Sequence, residues 1–417
     1  MESSLGTDVE VLSVWFPFEC SIMDIVFRFL FLTCYDLIFS ALFMRFLFYK
    51  RYHSQLDNIR ERGILPVLET ALLHYIGTGF LIVFALLFYF ILFPAQINQQ
   101  AKSALEILAT AYFVVGPFFY LYLAIQKKIS REAPSRTFIA ARFFLYIPSR
   151  LFRIIFKKNG VHAPFFPDTQ TKYAVLGVLV KFFFAPLMIS FFFINVDRFA
   201  SSFSHILLWA SDGYEGISAD RLWNYLYVSS VNALFVVDTL IFSFAYLVES
   251  DYLGNRVRSV ESTVGGWASA LVCYPPFNFF ARQSLVSIGG GALNPSSFPV
   301  MGFQFIIVFQ SIALILFVIY VWASVALGSR AGNLTNRGIV AVGPYRYIRH
   351  PAYVAKNLSW FFEVLPFFSH PLQLLSWILW AGIYVVRAVT EERHLSKDSS
   401  YIEYRKNVPY RFIPGIV

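Results

Sequence analysis

Residues 300–327 read Val-Met-Gly-Phe-Gln-Phe-Ile-Ile-Val-Phe-Gln-Ser-Ile-Ala-Leu-Ile-Leu-Phe-Val-Ile-Tyr-Val-Trp-Ala-Ser-Val-Ala-Leu, without one charged side chain. About 20 mostly apolar residues suffice to cross a bilayer core as a helix. This run meets that length, and a helix satisfies its backbone polar groups internally, as a lipid environment demands. Similar runs stand at 24–49, 66–93, 104–125, 173–194, 224–248 and 372–389, with a shorter one at 352–368. A weaker run at 263–280 carries Gly265, Gly266, Pro275, Pro276 and Asn278, and reads as a span that is broken or re-entrant. Together these predict an all-α polytopic membrane protein with about nine transmembrane helices.

Composition agrees. Of the 417 residues, 57% are hydrophobic and only 14% are charged. A soluble domain is nearer ~45–50% apolar and ~25% charged. The net charge of +9 reads as membrane topology, with no nucleic-acid partner implied. Its basic residues gather in particular loops, above all 127–158, where Lys127, Lys128, Arg131, Arg136, Arg142, Arg150, Arg153, Lys157 and Lys158 stand. Apolar and basic residues interleave between 136 and 156, which predicts an amphipathic helix against anionic membrane lipids or a solvated cytosolic loop. Cys20, Cys34 and Cys273 have no metal-like spacing and form no disulfide framework. The first 19 residues carry acids and no Lys or Arg, unlike a secretory signal peptide. An outer N-terminus and inner C-terminus place every strongly basic loop inside. Asp36, Lys181, Asp238 and Glu363 fall within or near spans and are functional candidates or interhelical pairs. Gly289-Gly290-Gly291 reads as a loop without a phosphate role.

The densest polar and aromatic cluster is Gly343-Pro344-Tyr345-Arg346-Tyr347-Ile348-Arg349-His350-Pro351-Ala352-Tyr353. Gly-Pro marks a turn, and Pro351 disfavours helix at His350 while suiting the first helical position. The segment therefore predicts a loop feeding a helix, with Arg349 and His350 at its mouth. Free N–H groups and the positive end of the dipole there suit an anionic group. Glu391-Glu392 follows one apolar hairpin later, then Tyr401, Tyr404 and Val408-Pro409-Tyr410. Acids at a helix C-terminus oppose the dipole and so call for a reason. Two crossings return the chain to the same side, so loop and acidic tail can meet.

Gly-Pro-Tyr-x-x-x-Arg-His-Pro-x-Tyr, a hydrophobic hairpin, Glu-Glu-x-x-Leu and Tyr-x-x-Tyr together resemble the isoprenylcysteine carboxyl methyltransferase family and its phospholipid methyltransferase relatives. The resemblance covers the last quarter of the chain. It implies a C-terminal catalytic module at 259–417 after an N-terminal transmembrane region at 1–258. It also implies S-adenosylmethionine as donor, bound on the cytosolic side of the endoplasmic reticulum in a eukaryote or the inner membrane in a bacterium. It further implies a lipophilic methyl acceptor entering from the bilayer: first an isoprenylcysteine carboxylate, second a lipid amine. The implied cofactor contacts are Arg337, Gly338, Ile339 and Val340 as a strand-like stretch, Tyr345, His350, Pro351, Ala352, Tyr353 and Glu391. The implied substrate contact is Arg387, four residues before Glu391 and on the same helix face. Ala355-Lys356 stands where the family often has a small glycine.

The residues suit this chemistry. An Arg or His can hold a carboxylate, a carboxylate can hold an amine or ribose hydroxyl, and aromatic faces attract a sulfonium cation. Methyl transfer needs alignment and exclusion of water more than a base, and no metal. A site of His350, His394 and Glu391 for a metal fits no common spacing. The tail Val408-Pro409-Tyr410-Arg411-Phe412-Ile413-Pro414 also resembles membrane sterol reductases that use NADPH. Gly-Pro-Tyr before Arg-His-Pro, and the missing Cys-x-x-Lys-Tyr-Gly, weigh against them. A transporter is disfavoured by the absence of a visible internal repeat.

Overall fold

The computed structural model describes residues 63–130, 134–156, 165–214, 216–250, 252–279, 301–368 and 371–416. The expected span at 24–49 with Asp36, Cys20 and Cys34, and the glycine run at 289–291 lie outside them, as do the side chains of Arg150, Arg153, Lys157 and Lys158.

The chain is an all-α membrane protein. Six described helices are long and apolar enough to cross a bilayer: α1 (Ile64–Leu87, continuing to Leu92), α2 (Gln99–Ile125), α4 (Thr169–Ser211), α5 (Ala219–Leu247), α7 (Phe303–Leu327) and α9 (Pro371–Leu395). The shorter helices are α3 (Arg136–Phe156), α6 (Val264–Leu271), α8 (Pro351–Val364) and α10 (Ser399–Asn407). The described residues fall in two compact units: 63–72 with 114–130, and the rest.

The run at 263–280 is broken, as its glycines and prolines led one to expect: the helix that starts at Val264 ends at Leu271, and turns follow around Pro275 and Pro276. Eight residues rise only ~12 Å, less than a bilayer core. The shorter run at 352–368 forms α8, whose 14 residues rise ~21 Å before a tight turn at Leu365–Phe367. The strand expected at Arg337–Val340 lies just before it, at β2 (Thr335–Asn336). Gly338 has φ +105°, which ends the extended run.

The interleaved segment 136–156 does fold as a helix, α3. Its Ala140, Ala141 and Phe143 pack with Leu81 of α1 and Val175 and Val178 of α4, so this face meets protein. At 43 residues α4 rises ~64 Å and outruns the hydrocarbon core. Its apolar stretch is 61% buried, so protein covers most of it. Lys181 of α4 pairs with Glu249 at 2.6 Å and so ties α4 to the segment just after α5.

Around the loop cluster, α7 packs on α8 and α5 through Phe317, Tyr320, Val321 and Ala355, with Phe235 and Trp360 against them. β1 (Ser259–Val260) pairs antiparallel with β2, Ser259 opposite Asn336 and Val260 opposite Thr335. This short pairing sets residues 259–261 beside the start of the Arg337 stretch.

Candidate active site

The backbone at 343–353 is fixed by sterics first. Gly343 has φ +58°, and a Cβ there would lie 3.2 Å from Ala326 Cβ and 3.3 Å from Trp322 Nε1. Glycine alone lets the turn lie this close to α7. Pro351 then opens α8 at its first position.

The C-terminal tail closes over this mouth. Arg349 N donates to Tyr410 O at 3.0 Å and His350 N to Arg411 O at 3.1 Å. The Arg349 guanidinium is buried. It donates from Nε to Glu392 Oε1 at 2.7 Å, and from Nη1 to the carbonyls of Val408 and Pro409. Glu392, 4% exposed, also meets His350 Nε2 at 3.1 Å and Arg411 Nη2 at 2.8 Å. Such a pair is stable only because these further hydrogen bonds satisfy its remaining atoms. The expectation that Arg349 offers its charge to an anionic ligand is therefore corrected: Glu392 and the tail carbonyls take it.

The two adjacent acids divide. Glu391 turns to a large solvent-open cavity, where its Oε2 accepts from Tyr353 Oη at 2.6 Å. Arg337, Gly338, Ile339, Val340, Tyr345, His350, Ala352, Tyr353, Arg387 and Glu391 all line this cavity. Pro351 does not; it is buried at the start of α8. His350 stacks on Tyr353, ring centres 5.3 Å apart and planes 12° apart. Tyr345 lends its carbonyl to Tyr404 Oη at 2.8 Å, and Ile339 packs on Tyr401, Tyr404 and Val408.

Arg387 is buried rather than snorkelling to a membrane surface. Its guanidinium lies 5.2 Å from the Tyr353 ring and 5.7 Å from Tyr274, and Nη2 donates to Asn333 Oδ1. Arg337 is 2% exposed. It donates from Nη1 to Ala245 O near the end of α5, and its guanidinium lies 5.6 Å from the Tyr246 ring. Its Nη2 has no hydrogen-bond partner among the described residues.

Sequence reasoning missed a smaller cleft that shares Asn333, Tyr353, Arg387 and Glu391 with the larger one and adds Glu261, Thr390 and His394. Gly266 makes room for Glu261: a Cβ there would stand 2.4 Å from Glu261 Cγ. Burial pushes the Glu261 carboxyl up, but hydrogen bonds from Thr263, with His394 and Arg393 nearby, hold it below the usual range. No local motif announces Glu261 or Asn333; the β1–β2 pairing and the loop after α7 bring them in. Among the described residues no three His, Cys, Asp or Glu side chains group as metal ligands.

Residues 304–397 match the family model of the isoprenylcysteine carboxyl methyltransferase (ICMT) family. No curated protein and no solved structure matches the chain. The ICMT match runs from α7 to just past α9 and holds every cavity residue expected from sequence. β1, Glu261 and the closing tail lie outside it. With the apolar helices, it supports an integral-membrane methyltransferase.

Proposed function

We propose that this protein transfers the methyl group of S-adenosylmethionine to a lipophilic acceptor, with an isoprenylcysteine-like carboxylate as first candidate and a lipid amine as second. One observation carries this reading: a single cavity within the ICMT-matched region gathers a free-facing carboxylate, a stacked His–Tyr pair and two buried guanidinium groups. The residues fit the donor. Glu391 suits its ammonium or ribose hydroxyls, the unpartnered Nη2 of Arg337 suits its carboxylate, and the His350–Tyr353 stack suits a flat base. When bound, the donor supplies an electrophilic methyl: the new O–CH3 bond forms as the S–CH3 bond breaks, and sulfur keeps the electron pair.

The chain's own residues orient and exclude. Arg387, buried among Tyr274, Tyr353 and Tyr384, neutralises and aims an acceptor carboxylate, which needs no base. The tail held by Arg349 and Glu392 shuts water out. We assign this work to a module at 259–417, to which α5 adds Phe242 and the Ala245 carbonyl.

The test is calorimetry on the full chain in detergent with S-adenosylmethionine, S-adenosylhomocysteine and NADPH. Binding of the adenosyl sulfur compounds, weakened at least about tenfold in Glu391→Ala, is expected. NADPH binding alone would replace this reading with a reductase. Arg387→Ala should lower turnover more than donor affinity.

A further inference from the structure

Asp238 is a carboxylate in a membrane-spanning helix, 4% exposed. Hydroxyls cover both its oxygens: Ser324 Oγ donates to Oδ1 at 2.5 Å and Tyr320 Oη to Oδ2 at 2.8 Å. Lys356 Nζ donates to the same Tyr320 oxygen at 3.2 Å. Carboxylate and ammonium are thus joined through one phenol. In a low-dielectric interior the attraction would be greatest in direct contact. Here the phenol keeps the ammonium forward, over the rings of Tyr320 at 4.7 Å, Trp360 at 5.2 Å and Phe235 at 5.7 Å. Aromatic faces hold a cation while leaving its N–H groups available.

The arrangement has a direction. Lys356, Tyr320 and Ser324 line the large cavity; Asp238 does not. The cavity therefore sees the positive end, with the counter-charge behind its wall. Tyr320 takes one of three ammonium donors, and among the described residues no other hydrogen bond from Lys356 is formed. The wall also carries Arg330, Arg337 and Arg387 against one carboxylate, Glu391, while the charge of Arg349 is taken by Glu392. A membrane cavity so charged favours an anionic guest.

We propose that Lys356 is a second anion anchor, separate from Arg387, that binds the carboxylate or phosphate of a lipid-like acceptor, with Asp238 balancing its charge through Tyr320. This assignment to the acceptor rests on the methyltransferase reading above. Lys356 follows Tyr353 by three positions on α8, so the anchor lies about one turn beyond the Tyr353–Glu391 pair. It is a specificity residue, and Asp238 and Tyr320 are positioning residues.

The experiment uses the full chain in phosphatidylcholine nanodiscs. Dodecanoate, dodecyl phosphate and dodecanamide are titrated into wild type, Lys356→Met, Lys356→Arg and the double variant Lys356→Met/Asp238→Asn. At least one anion should bind wild type about tenfold more tightly than the amide. Lys356→Arg should keep the preference and Lys356→Met should lower it at least severalfold, to what Arg387 alone supplies. The double variant removes both buried charges, so its thermal stability should return towards wild type while the preference stays lowered. Equal binding of anion and amide to wild type, or a preference that is undiminished in Lys356→Met or restored in the double variant, overturns the proposal. S-adenosylmethionine binding in the same samples tests the methyltransferase reading separately: its absence sinks that reading and leaves the anion anchor standing or falling on its own titration.

Discussion

At the scale of single residues, Glu391 and Glu392 show how neighbours on one helix part company. Glu391 faces the cavity with one hydrogen bond from Tyr353, while Glu392 is the hub of Arg349, His350 and Arg411. Removing one partner of a buried ion pair leaves the other charge uncompensated, at a cost of about 3–5 kcal/mol. Glu392→Ala should therefore lower the unfolding temperature in detergent far more than Glu391→Ala, whose chief effect is on donor affinity. Equal thermal losses in the two variants would reject this division. Two acids against the helix dipole signalled that something was needed at 391–392. The resemblance pointed to Glu391, but from the residues alone which acid does what was not legible, because one residue of helical rotation decides it and the partners of Glu392 come from a loop 42 and 43 residues earlier and a tail 19 residues on.

At the scale of elements, the β1–β2 pair is small but joins the loop before α6 to the cavity wall. Asp398, at the start of α10, holds it: its carboxylate accepts from Asn336 Nδ2 at 2.8 Å and lies 3.5 Å from Arg258. The Ser400 hydroxyl, helped by Asn336, the Ser400 amide and Arg258, keeps the Asp398 carboxyl below its usual 3.8. A carboxyl depressed in the folded state stabilises fully above its unfolded pKa, and that stability is lost as pH falls through the folded value. Wild type should thus lose stability below pH ~4 more steeply than Asp398→Asn, read as unfolding temperature from pH 6 to 3. Parallel curves would show that Asp398 carries none of the acid sensitivity. Long apolar runs such as 300–327 made the helices legible, since length and lack of charge leave little choice in a bilayer. Two-residue strands carry no periodicity, so β1 and β2 were invisible, and the expected strand fell two residues late, on the far side of Asn336.

At the scale of the molecule, helices from distant parts of the chain meet at one cavity, and the C-terminal tail is bound beside it at the mouth of α8. α5 supplies the Ala245 carbonyl for Arg337, α7 supplies Tyr320 and Ser324, α8 and α9 supply Tyr353 and Arg387. None of these links is local, so a motif could name the cavity residues while leaving unread the helix packing that gathers them. The tail residues after α10 make no helix of their own, yet Val408 and Pro409 carbonyls, the Tyr410 and Arg411 backbones and the Arg411 side chain all bind the mouth of α8. Ending the chain at Asn407 removes every one of these contacts and leaves Arg349 with Glu392 alone. The helical array rests on α4 and its neighbours, so far-ultraviolet circular dichroism should keep its helical signal. Donor binding should fall by about tenfold or more, and hydrogen exchange should rise at 349–353. A truncated chain that binds donor as wild type does would show that the tail does not close the site.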